Sequence, residues 1–335
     1  MKFAVVGAGS VGGYLGARLA LAGEEVTFVA RGANLAAIAG HGFKLIEEDG
    51  TEKVATNVRA AGLHEAGPYD VVLLAVKAHQ IPALAPQLRG LFGPDTVVVT
   101  LQNGIPWWFF YKWGGEYEGR PIRSVDPEDS IATHIENERV VGTVVYFASQ
   151  VIAPGVVKVI EGNRLALGEP NLSVSERCQQ LSATFVRAGF KAPVVNDLRG
   201  EIWLKLWGNM VFNPLSALTH ATLVDICQFP LTRTLAATMM AEAQRVAEKL
   251  GITIRLGIER RIAGAEAVGK HKTSTLQDVE AGRALELDAL IGSVVELARL
   301  TRTPTPATDA VYACASLLAK RLADEKGRLQ IHPVS

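Results

Sequence analysis

The chain has 335 residues, and its 34 Lys plus Arg balance its 34 Asp plus Glu, so the formal net charge is zero. This balance gives no overall electrostatic attraction to nucleic acid or to an anionic membrane, and it argues against both classes of partner. Hydrophobic residues make up 48% of the chain and charged residues 20%, a composition that predicts a large core. The length is enough for two domains of ordinary size. No apolar run approaches the roughly 20 residues of a membrane span.

The cysteine and histidine patterns argue against disulfides and against a metal site. Cys178, Cys227 and Cys314 are widely spaced, which is typical of reduced and mostly buried thiols. The seven histidines lack metal-ligand spacing. No basic and apolar leader precedes the first strand, so we expect no secretory signal and a cytoplasmic location.

The N-terminal residues predict a β-α-β unit with a glycine-rich turn. Lys2–Val6 is a short apolar strand, a helical pattern runs to about Ala22, and Glu25–Ala30 is a second strand. The turn after the first strand has the spacing G-x-G-x-x-G and consists of Gly7, Ala8, Gly9, Ser10, Val11 and Gly12. This motif in this context predicts a dinucleotide-binding site.

Each glycine of the turn has a physical role in such a site. Gly7 permits the tight turn, Gly9 lets the backbone approach a pyrophosphate, and Gly12 lets the helix lie close to the strand. The N-terminus of the helix then offers N–H groups and a positive dipole to the phosphates. A glycine-rich turn without a ligand is the alternative, and the strand-turn-helix context argues against it.

The end of the second strand predicts which dinucleotide binds. NAD-binding folds usually place an acid there for the ribose 2′-hydroxyl, whereas this chain has Arg31. A guanidinium suits a 2′-phosphate, so we predict NADP(H) as the cofactor. The alternative is that Arg31 is a solvated loop residue.

Two further predicted strands end in polar residues. Tyr69–Val76 and Thr96–Leu101 read as buried strands, with a helix over Ile81–Leu91 between them. Lys77 and Asn103 follow the two strands, and ligands of open parallel sheets bind beyond such strand ends. Each alone would read as a surface or turn residue, but together they favour a site.

An aromatic segment follows. Residues 107–113 read WWFFYKW and hold six of the 22 aromatic residues. The segment is either a hydrophobic plug under a long loop or a pocket wall, lid or subunit contact. The chain is then charged and irregular to about Arg139. The next predicted elements are strands at Val140–Phe147 and Val156–Ile160, a helix at Glu176–Ala188 and a last strand at Ala192–Val195.

Beyond Asn196–Arg199 the pattern becomes almost wholly helical. Ala236–Leu250 is a clear amphipathic helix, Ile291–Leu300 belongs to another, and Asp309–Ala323 belongs to a last one. We therefore predict an α/β chain with an N-terminal doubly wound sheet and an all-helical C-terminal domain. The expected domains are 1–196, with an aromatic-rich insertion at 106–139, and 197–335.

The first helix of the second domain has a polar stripe on a mostly apolar surface. Lys205, Asn209 and Asn213 stand at i, i+4 and i+8 and so share one face. Buried polar groups need partners, and a bound polar substrate could supply them. A lysine that extends its ammonium to solvent is the alternative. Pro214 should bend the helix near Asn213.

Taken together these segments resemble one family. An N-terminal GAGSVG, an Arg after the second strand, VKAHQ, QNG, EIWLKLWGNMVFNPLSALT and HKTSTLQDVEAGRALELD occur over nearly the full length. The chain resembles the ketopantoate reductases (2-dehydropantoate 2-reductases). The resemblance implies a Rossmann domain joined to a helical domain with the active site in the cleft. It also implies reduction of 2-dehydropantoate to (R)-pantoate with NADPH, on the route to pantothenate and coenzyme A.

The resemblance also implies residue roles. Lys205 matches the general acid, and Glu286 matches the acid that binds and positions substrate. The matching substrate residues are Asn209, Asn213 and Ser274, and the matching cofactor and cleft residues are Gly7, Gly9, Gly12, Arg31, Lys77 and Asn103.

The chemistry fits these roles. Hydride transfer to C2 of a 2-oxo acid places negative charge on the carbonyl oxygen, which the Lys205 ammonium would stabilise and then protonate. Trp203, Leu206 and Trp207 would lower the pKa of Lys205 by desolvation, and a nearby Glu286 would oppose this.

Ser274 and Glu286 cannot serve one site if a straight helix joins them. Their side chains would be about 18 Å apart at 1.5 Å per residue. We therefore predict a break near Gly282 and a main helix that starts close to Leu285. The alternatives are that Ser274 is a plain N-cap of a capping box with Gln277 and that Glu286 is a solvated acid.

Two other functions stay open. The aromatic insertion after Gly104 departs from shorter family members and could select a different 2-oxo acid. A protein from another class, a non-catalytic NADP-sensing protein, would use the insertion as an interaction surface. We expect a monomer or homodimer.

Overall fold

The computed structural model describes residues 1–332. These residues form two units. The sheet unit comprises Met1–Asn103, Trp107–Pro121 and Glu128–Leu198, and the helical unit comprises Gly104–Pro106, Ile122–Pro127 and the chain from Arg199 onwards. The predicted fold class is confirmed, since a mostly parallel α/β sheet is followed by an all-helical region.

The sheet unit is built on nine strands. They are β1 (Lys2–Val6), β2 (Glu25–Val29), β3 (Phe43–Ile46), β4 (Glu52–Ala55), β5 (Val58–Ala61), β6 (Tyr69–Leu74), β7 (Phe92–Thr100), β8 (Val140–Ala153) and β9 (Val156–Gly168). Their order is β4-β3-β9-β8-β7-β6-β1-β2-β5, and the neighbouring pairs are parallel except β3–β4 and β8–β9. The helices of this unit are α1 (Ser10–Leu21), α2 (Gly32–His41), α3 (Ile81–Leu84), α4 (Ser130–His134) and α5 (Glu176–Arg187).

The strand register brings four carboxyl ends level at one edge of the sheet. Val6 of β1 is opposite Val29 of β2 and Leu74 of β6, and Leu74 is opposite Thr100 of β7. Apolar residues of these strands lie in the buried core of the unit, with Val5, Phe28 and Leu73 fully buried, and α1 packs against β1 and β2. The segments that follow the four strands therefore start at the same edge.

Several predicted boundaries in the sheet unit are wrong for identifiable reasons. The helix expected over Ile81–Leu91 stops at Leu84 and continues as tight turns, because Pro86 has no N–H to donate. The strand expected over Val156–Ile160 is the first part of the longer β9. In place of the strand expected over Ala192–Val195, only Val194 forms an isolated bridge, to Leu167 of β9.

The aromatic segment lies in the core of the sheet unit. Residues 107–110 are all buried, and the indole of Trp107 donates to Asn137 Oδ1 at 3.1 Å. A Cβ on Gly142 of β8 would lie 2.4 Å from the Trp108 ring, so this ring rests directly on the strand backbone. This burial favours the hydrophobic-plug interpretation of the segment.

The helical unit contains seven α-helices among the described residues. They are α6 (Leu198–Thr219), α7 (Leu223–Gln228), α8 (Pro230–Lys249), α9 (Ile258–Ala267), α10 (Ser274–Ala281), α11 (Ser293–Leu300) and α12 (Pro306–Asp324). A π-helical turn, Asp288–Gly292, directly precedes α11. The long helix α6 continues through Pro214, and its Trp207 donates to the Met240 carbonyl of α8 at 2.8 Å. Within residues 1–332 no helix is long and apolar enough to cross a membrane.

Candidate active site

The glycine-rich turn has the geometry that a phosphate-binding loop requires. Gly7 has φ +105°, a conformation that L side chains rarely adopt. A Cβ on Gly12 would lie 2.1 Å from the Gly7 carbonyl oxygen, so only glycine lets α1 approach β1 this closely. A Cβ on Gly9, in contrast, would meet no atom within 4 Å. The loop therefore combines tight internal packing with open space at Gly9.

The start of α1 suits an anion. Gly9 is the N-cap and has no side chain to satisfy the N–H groups of the first turn, and this turn contains no acidic residue. Ser10 and Val11 begin the helix and are half-buried, whereas Ala8 is buried. Because a helix N-terminus attracts phosphate, the residues present fit a dinucleotide pyrophosphate.

Three further predicted residues lie just beyond the level strand ends. Arg31 follows β2 and is the exposed N-cap of α2. Lys77 follows β6 and is half-buried, with its backbone N–H donating to Gln80 Oε1 at 3.1 Å. Asn103 follows β7 and is half-buried. The structure thus places these residues and Gly7 along one edge of the sheet.

Gln102 holds two of these strand ends together, and sequence reasoning missed it. Its Nε2 donates to the carbonyl oxygens of Leu74 at 2.6 Å and Val76 at 3.0 Å. The side chain from the end of β7 thereby fixes the backbone that leads from β6 into Lys77. The signal in the sequence is the QNG motif, in which Gln102 directly precedes the predicted site residue Asn103.

The polar stripe of α6 lies in the helical unit. Lys205 and Asn209 are partly buried and Asn213 is 6% exposed. Burial lowers the pKa of Lys205 to about 8, and the Glu286 carboxylate acts in the opposite direction by favouring the ammonium. An amine with such a pKa can hold and release a proton near neutral pH.

Asn213 and Ser274 come together. Asn213 Nδ2 lies 3.5 Å from Ser274 Oγ, at the outer limit of a hydrogen bond. The N-cap of α10 is Thr273, whose hydroxyl accepts from the Leu276 N–H at 3.2 Å. The plain N-cap interpretation of Ser274 is therefore wrong, and its hydroxyl is directed to α6 instead.

The predicted break between Ser274 and Glu286 is confirmed. Helix α10 ends at Ala281, and Gly282 follows in the left-handed conformation with φ +66°. The helix resumes at Leu287, two residues later than the predicted start. Glu286 is partly buried immediately before it. Ser274 and Glu286 therefore do not lie on one continuous helix, which would have held their side chains about 18 Å apart.

Arg261 of α9 is a second residue that the sequence did not reveal. A Cβ on Gly208 of α6 would lie 1.9 Å from a guanidinium nitrogen of Arg261, so the guanidinium lies against the bare helix backbone. Gly208 adjoins Asn209 in the polar stripe. A glycine within an otherwise bulky helix was the signal that a close approach occurs there.

Comparison with known proteins places the chain among the ketopantoate reductases. Residues 3–171 match the family described as Ketopantoate reductase PanE/ApbA, and residues 197–319 match its C-terminal region. A 2-dehydropantoate 2-reductase from Mesorhizobium japonicum is 50% identical over 98% of this chain and 99% of its own.

Solved structures share the fold. A crystal structure of a candidate ketopantoate reductase from Ralstonia solanacearum has a TM-score of 0.91 at 41% identity, covering 96% of this chain and 98% of that chain. A D-mandelate dehydrogenase solved with NADH and anilino(oxo)acetate has a TM-score of 0.82 at 21% identity, covering 96% and 99%, which is a likeness of fold alone. The two family matches and the full-length relative show that this chain is a nicotinamide-dependent oxidoreductase and belongs to the ketopantoate reductase PanE/ApbA family.

Proposed function

We propose that the protein reduces 2-dehydropantoate to (R)-pantoate with NADPH, in pantothenate and coenzyme A biosynthesis. The observation that carries the proposal is Lys205, an amine with a pKa of about 8 on the same helix face as Asn209 and Asn213. The full-length relative from Mesorhizobium japonicum supports the choice of substrate.

Lys205 acts as the general acid. When bound, the reduced nicotinamide supplies a hydride to the carbonyl carbon of the substrate. Lys205 holds its proton beside the carbonyl oxygen, stabilises the negative charge that grows there and then donates the proton. A desolvated ammonium stabilises this charge more strongly than a hydrated one would.

The remaining polar residues bind and orient the acid. Ser274 and Asn213, whose polar atoms lie 3.5 Å apart, present a hydroxyl and an amide to the polar groups of the substrate. Asn209 lies one helical turn from Lys205 on the same face, and Asn103 is the remaining proposed substrate residue. Glu286 binds a substrate hydroxyl and keeps Lys205 protonated, since it raises the pKa of the lysine.

NADP(H) is the proposed cofactor. Residues Gly7 to Gly12 would hold the pyrophosphate, Arg31 the 2′-phosphate, and Lys77 and Asn103 the remainder of the dinucleotide. Arg31→Ala should raise the KM for NADPH at least about tenfold, because a charge-assisted bond to phosphate is lost, and should leave the KM for NADH unchanged. An equal effect on both coenzymes would contradict the assignment.

A panel of 2-oxo acids with NADPH tests the substrate. We expect 2-dehydropantoate to have the highest kcat/KM. Equal or better turnover of another 2-oxo acid would contradict the assignment of 2-dehydropantoate as the substrate and would identify the protein as a reductase of that other acid.

Lys205→Ala tests the chemistry. Turnover should fall by about 10²–10⁴-fold, the range for loss of a general acid, while NADPH affinity stays nearly intact. Unchanged turnover would refute the role of Lys205, and wild-type protein that binds NADPH without reducing any 2-oxo acid would favour the NADP-sensing alternative.

The oligomeric state, the domain boundary and the cellular location complete the proposal. We propose a monomer or homodimer with domains at 1–196 and 197–335 and the aromatic-rich insertion at 106–139. Cys178, Cys227 and Cys314 are all free thiols, which supports a reducing cytoplasmic location. Light scattering and limited proteolysis test the oligomeric state and the boundary.

A further inference from the structure

The π-helical turn Asp288–Gly292 lies immediately after Glu286 in the helical unit. A π turn holds one more residue than an α turn, and it costs hydrogen-bond geometry, so it persists only where surrounding contacts support it. The extra residue rotates the residues before the turn by roughly 100° around the helix axis, relative to a regular α-helix. The direction in which Glu286 projects from the start of the helix therefore depends on the π-helical turn.

Backbone and hydroxyl contacts support the middle of the turn. The carbonyl oxygen of Ala289 accepts from the Ile105 N–H at 2.9 Å and from Ser293 Oγ at 2.9 Å. The same hydroxyl lies 2.9 Å from the Leu290 carbonyl oxygen, and Ser293 is fully buried. These contacts fix the side of the turn that faces the interior of the helical unit.

Tyr312 of α12 supports both ends of the turn. Its hydroxyl donates to Asp288 Oδ1 at 2.7 Å, at the first residue of the turn. Its ring lies against Gly292, the last residue, where a Cβ would be 2.8 Å from the hydroxyl oxygen and 3.0 Å from the ring carbon that bears it. One phenol thus spans the whole turn, and Gly292 leaves the room for it.

The phenol remains a donor over the working range of pH. Burial, together with the Asp288 carboxylate, raises the pKa of Tyr312 to about 12. Leu287 lies between Glu286 and Asp288 and is 4% exposed. Its burial therefore also restrains the backbone that connects Glu286 to Asp288, the residue to which Tyr312 donates.

We propose that Tyr312 is a positioning residue for Glu286, which it serves by bracing the π-helical turn at Asp288 and Gly292. This inference rests on the proposed function, because Glu286 is there the group that binds the substrate. Tyr312 touches no reacting atom, and its effect passes through the carboxylate.

A double-mutant cycle between Tyr312 and Glu286 tests the proposal. Tyr312→Phe should raise the KM for 2-dehydropantoate by about tenfold, because the turn loses its brace and Glu286 its fixed direction, and kcat and the KM for NADPH should change by less than about twofold. In the Glu286→Gln background the same substitution should have less than about a twofold effect, since the carboxylate that it positions is absent.

Three further variants sharpen the test. Asp288→Ala removes the acceptor and should reproduce Tyr312→Phe, whereas Asp288→Asn keeps an acceptor oxygen and should restore most of the affinity. Tyr111→Phe is the matched control: it removes a tyrosine–carboxylate hydrogen bond of 2.9 Å, to Glu138, in the sheet unit, and it should leave both KM values unchanged.

The outcomes separate the two proposals. Wild-type protein that turns over no 2-oxo acid overturns the proposed function, and this inference with it. An active wild type in which Tyr312→Phe has no effect, acts equally in both backgrounds or weakens NADPH as strongly as the oxo acid overturns the inference alone. A melting temperature of each variant, measured in parallel, identifies general destabilisation, and a KM effect that merely follows this temperature also overturns it.

Discussion

Lys205 experiences two opposing influences on its proton. Desolvation lowers its pKa to about 8, and the Glu286 carboxylate favours the charged form. In its proposed role as general acid, Lys205 works only when protonated, so kcat/KM should be constant below pH 8 and fall about tenfold per pH unit above it. Glu286→Gln removes the influence that raises the pKa, so it should move the falling limb to lower pH.

The pH dependence of kcat/KM for the oxo acid measures both effects. The control is Glu248→Gln, an exposed acid on α8, whose profile should overlay that of the wild type. A falling limb that stays in place in Glu286→Gln, or moves to higher pH, would contradict the electrostatic coupling.

Glu242 of α8 is a buried acid with a structural role. It is 2% exposed and accepts from the Ala307 N–H at 3.0 Å, the Thr308 N–H at 2.9 Å and the Thr308 hydroxyl at 2.7 Å, at the start of α12. Glu242→Ala leaves these buried donors without partners and should lower the free energy of unfolding by about 2–4 kcal/mol. Urea denaturation measures this, and the exposed Glu248→Ala on the same helix should stay within about 0.5 kcal/mol.

At the scale of elements, sequence patterns predict best where burial dictates one periodicity. The apolar strands β1, β2, β6 and β7 and the helices α1, α5 and α8 follow from such patterns. The strands β3, β4 and β5 escaped prediction because each is only four residues long, too short for a clear alternation, and β4 exposes three of its four residues. Their place at or near the sheet edges follows from tertiary pairing, which a local pattern does not encode.

Some features of the candidate site could also be predicted from the sequence, and others could not. Positions that follow strands, such as Arg31 and Lys77, could be derived from chain order alone, and the break at Gly282 from a distance argument. The π-helical turn, the contact of Arg261 with Gly208 and the brace from Tyr312 could not. Each of these joins residues far apart in sequence through packing, and none leaves a periodic signal.

Gln102 makes an element-scale prediction. Its side-chain amide satisfies two carbonyl oxygens that extend β6 beyond the sheet ladder. Gln102→Leu keeps the size but removes the donor, so it should cost about 1–3 kcal/mol of stability. It should also raise the KM for NADPH, because Lys77, which we propose contacts the dinucleotide, directly follows one of the two carbonyls.

Denaturation and the KM for each substrate check this result. Gln87→Leu is the matched control, since the Gln87 amide donates to a carbonyl oxygen four residues earlier, at Ala83, on an exposed surface. A Gln102→Leu protein as stable as the control, with an unchanged KM for NADPH, would show that the hydrogen bonds of Gln102 are not needed to hold the ends of β6 and β7 in place.

At the scale of the whole molecule, cofactor affinity and stability are linked. A ligand that binds only the folded chain stabilises it by about 2.7 kcal/mol at a hundred times its Kd. NADPH should therefore raise the melting temperature of the wild type, and also that of Lys205→Ala, because the role we propose for this lysine is in the reaction and not in binding the dinucleotide.

The two glycines at the start of α1 separate binding from folding. Gly9 has φ −84° and open space around it, so Gly9→Val should fold with an unchanged melting temperature. It should lose the stabilisation by NADPH, since the side chain would fill the place that we propose for the pyrophosphate. Gly12→Ala brings its Cβ within 2.1 Å of the Gly7 carbonyl oxygen and should lower the melting temperature even without NADPH. Thermal melts with and without NADPH distinguish the two. A Gly9→Val protein that NADPH still stabilises fully would show that the dinucleotide does not lie over this turn.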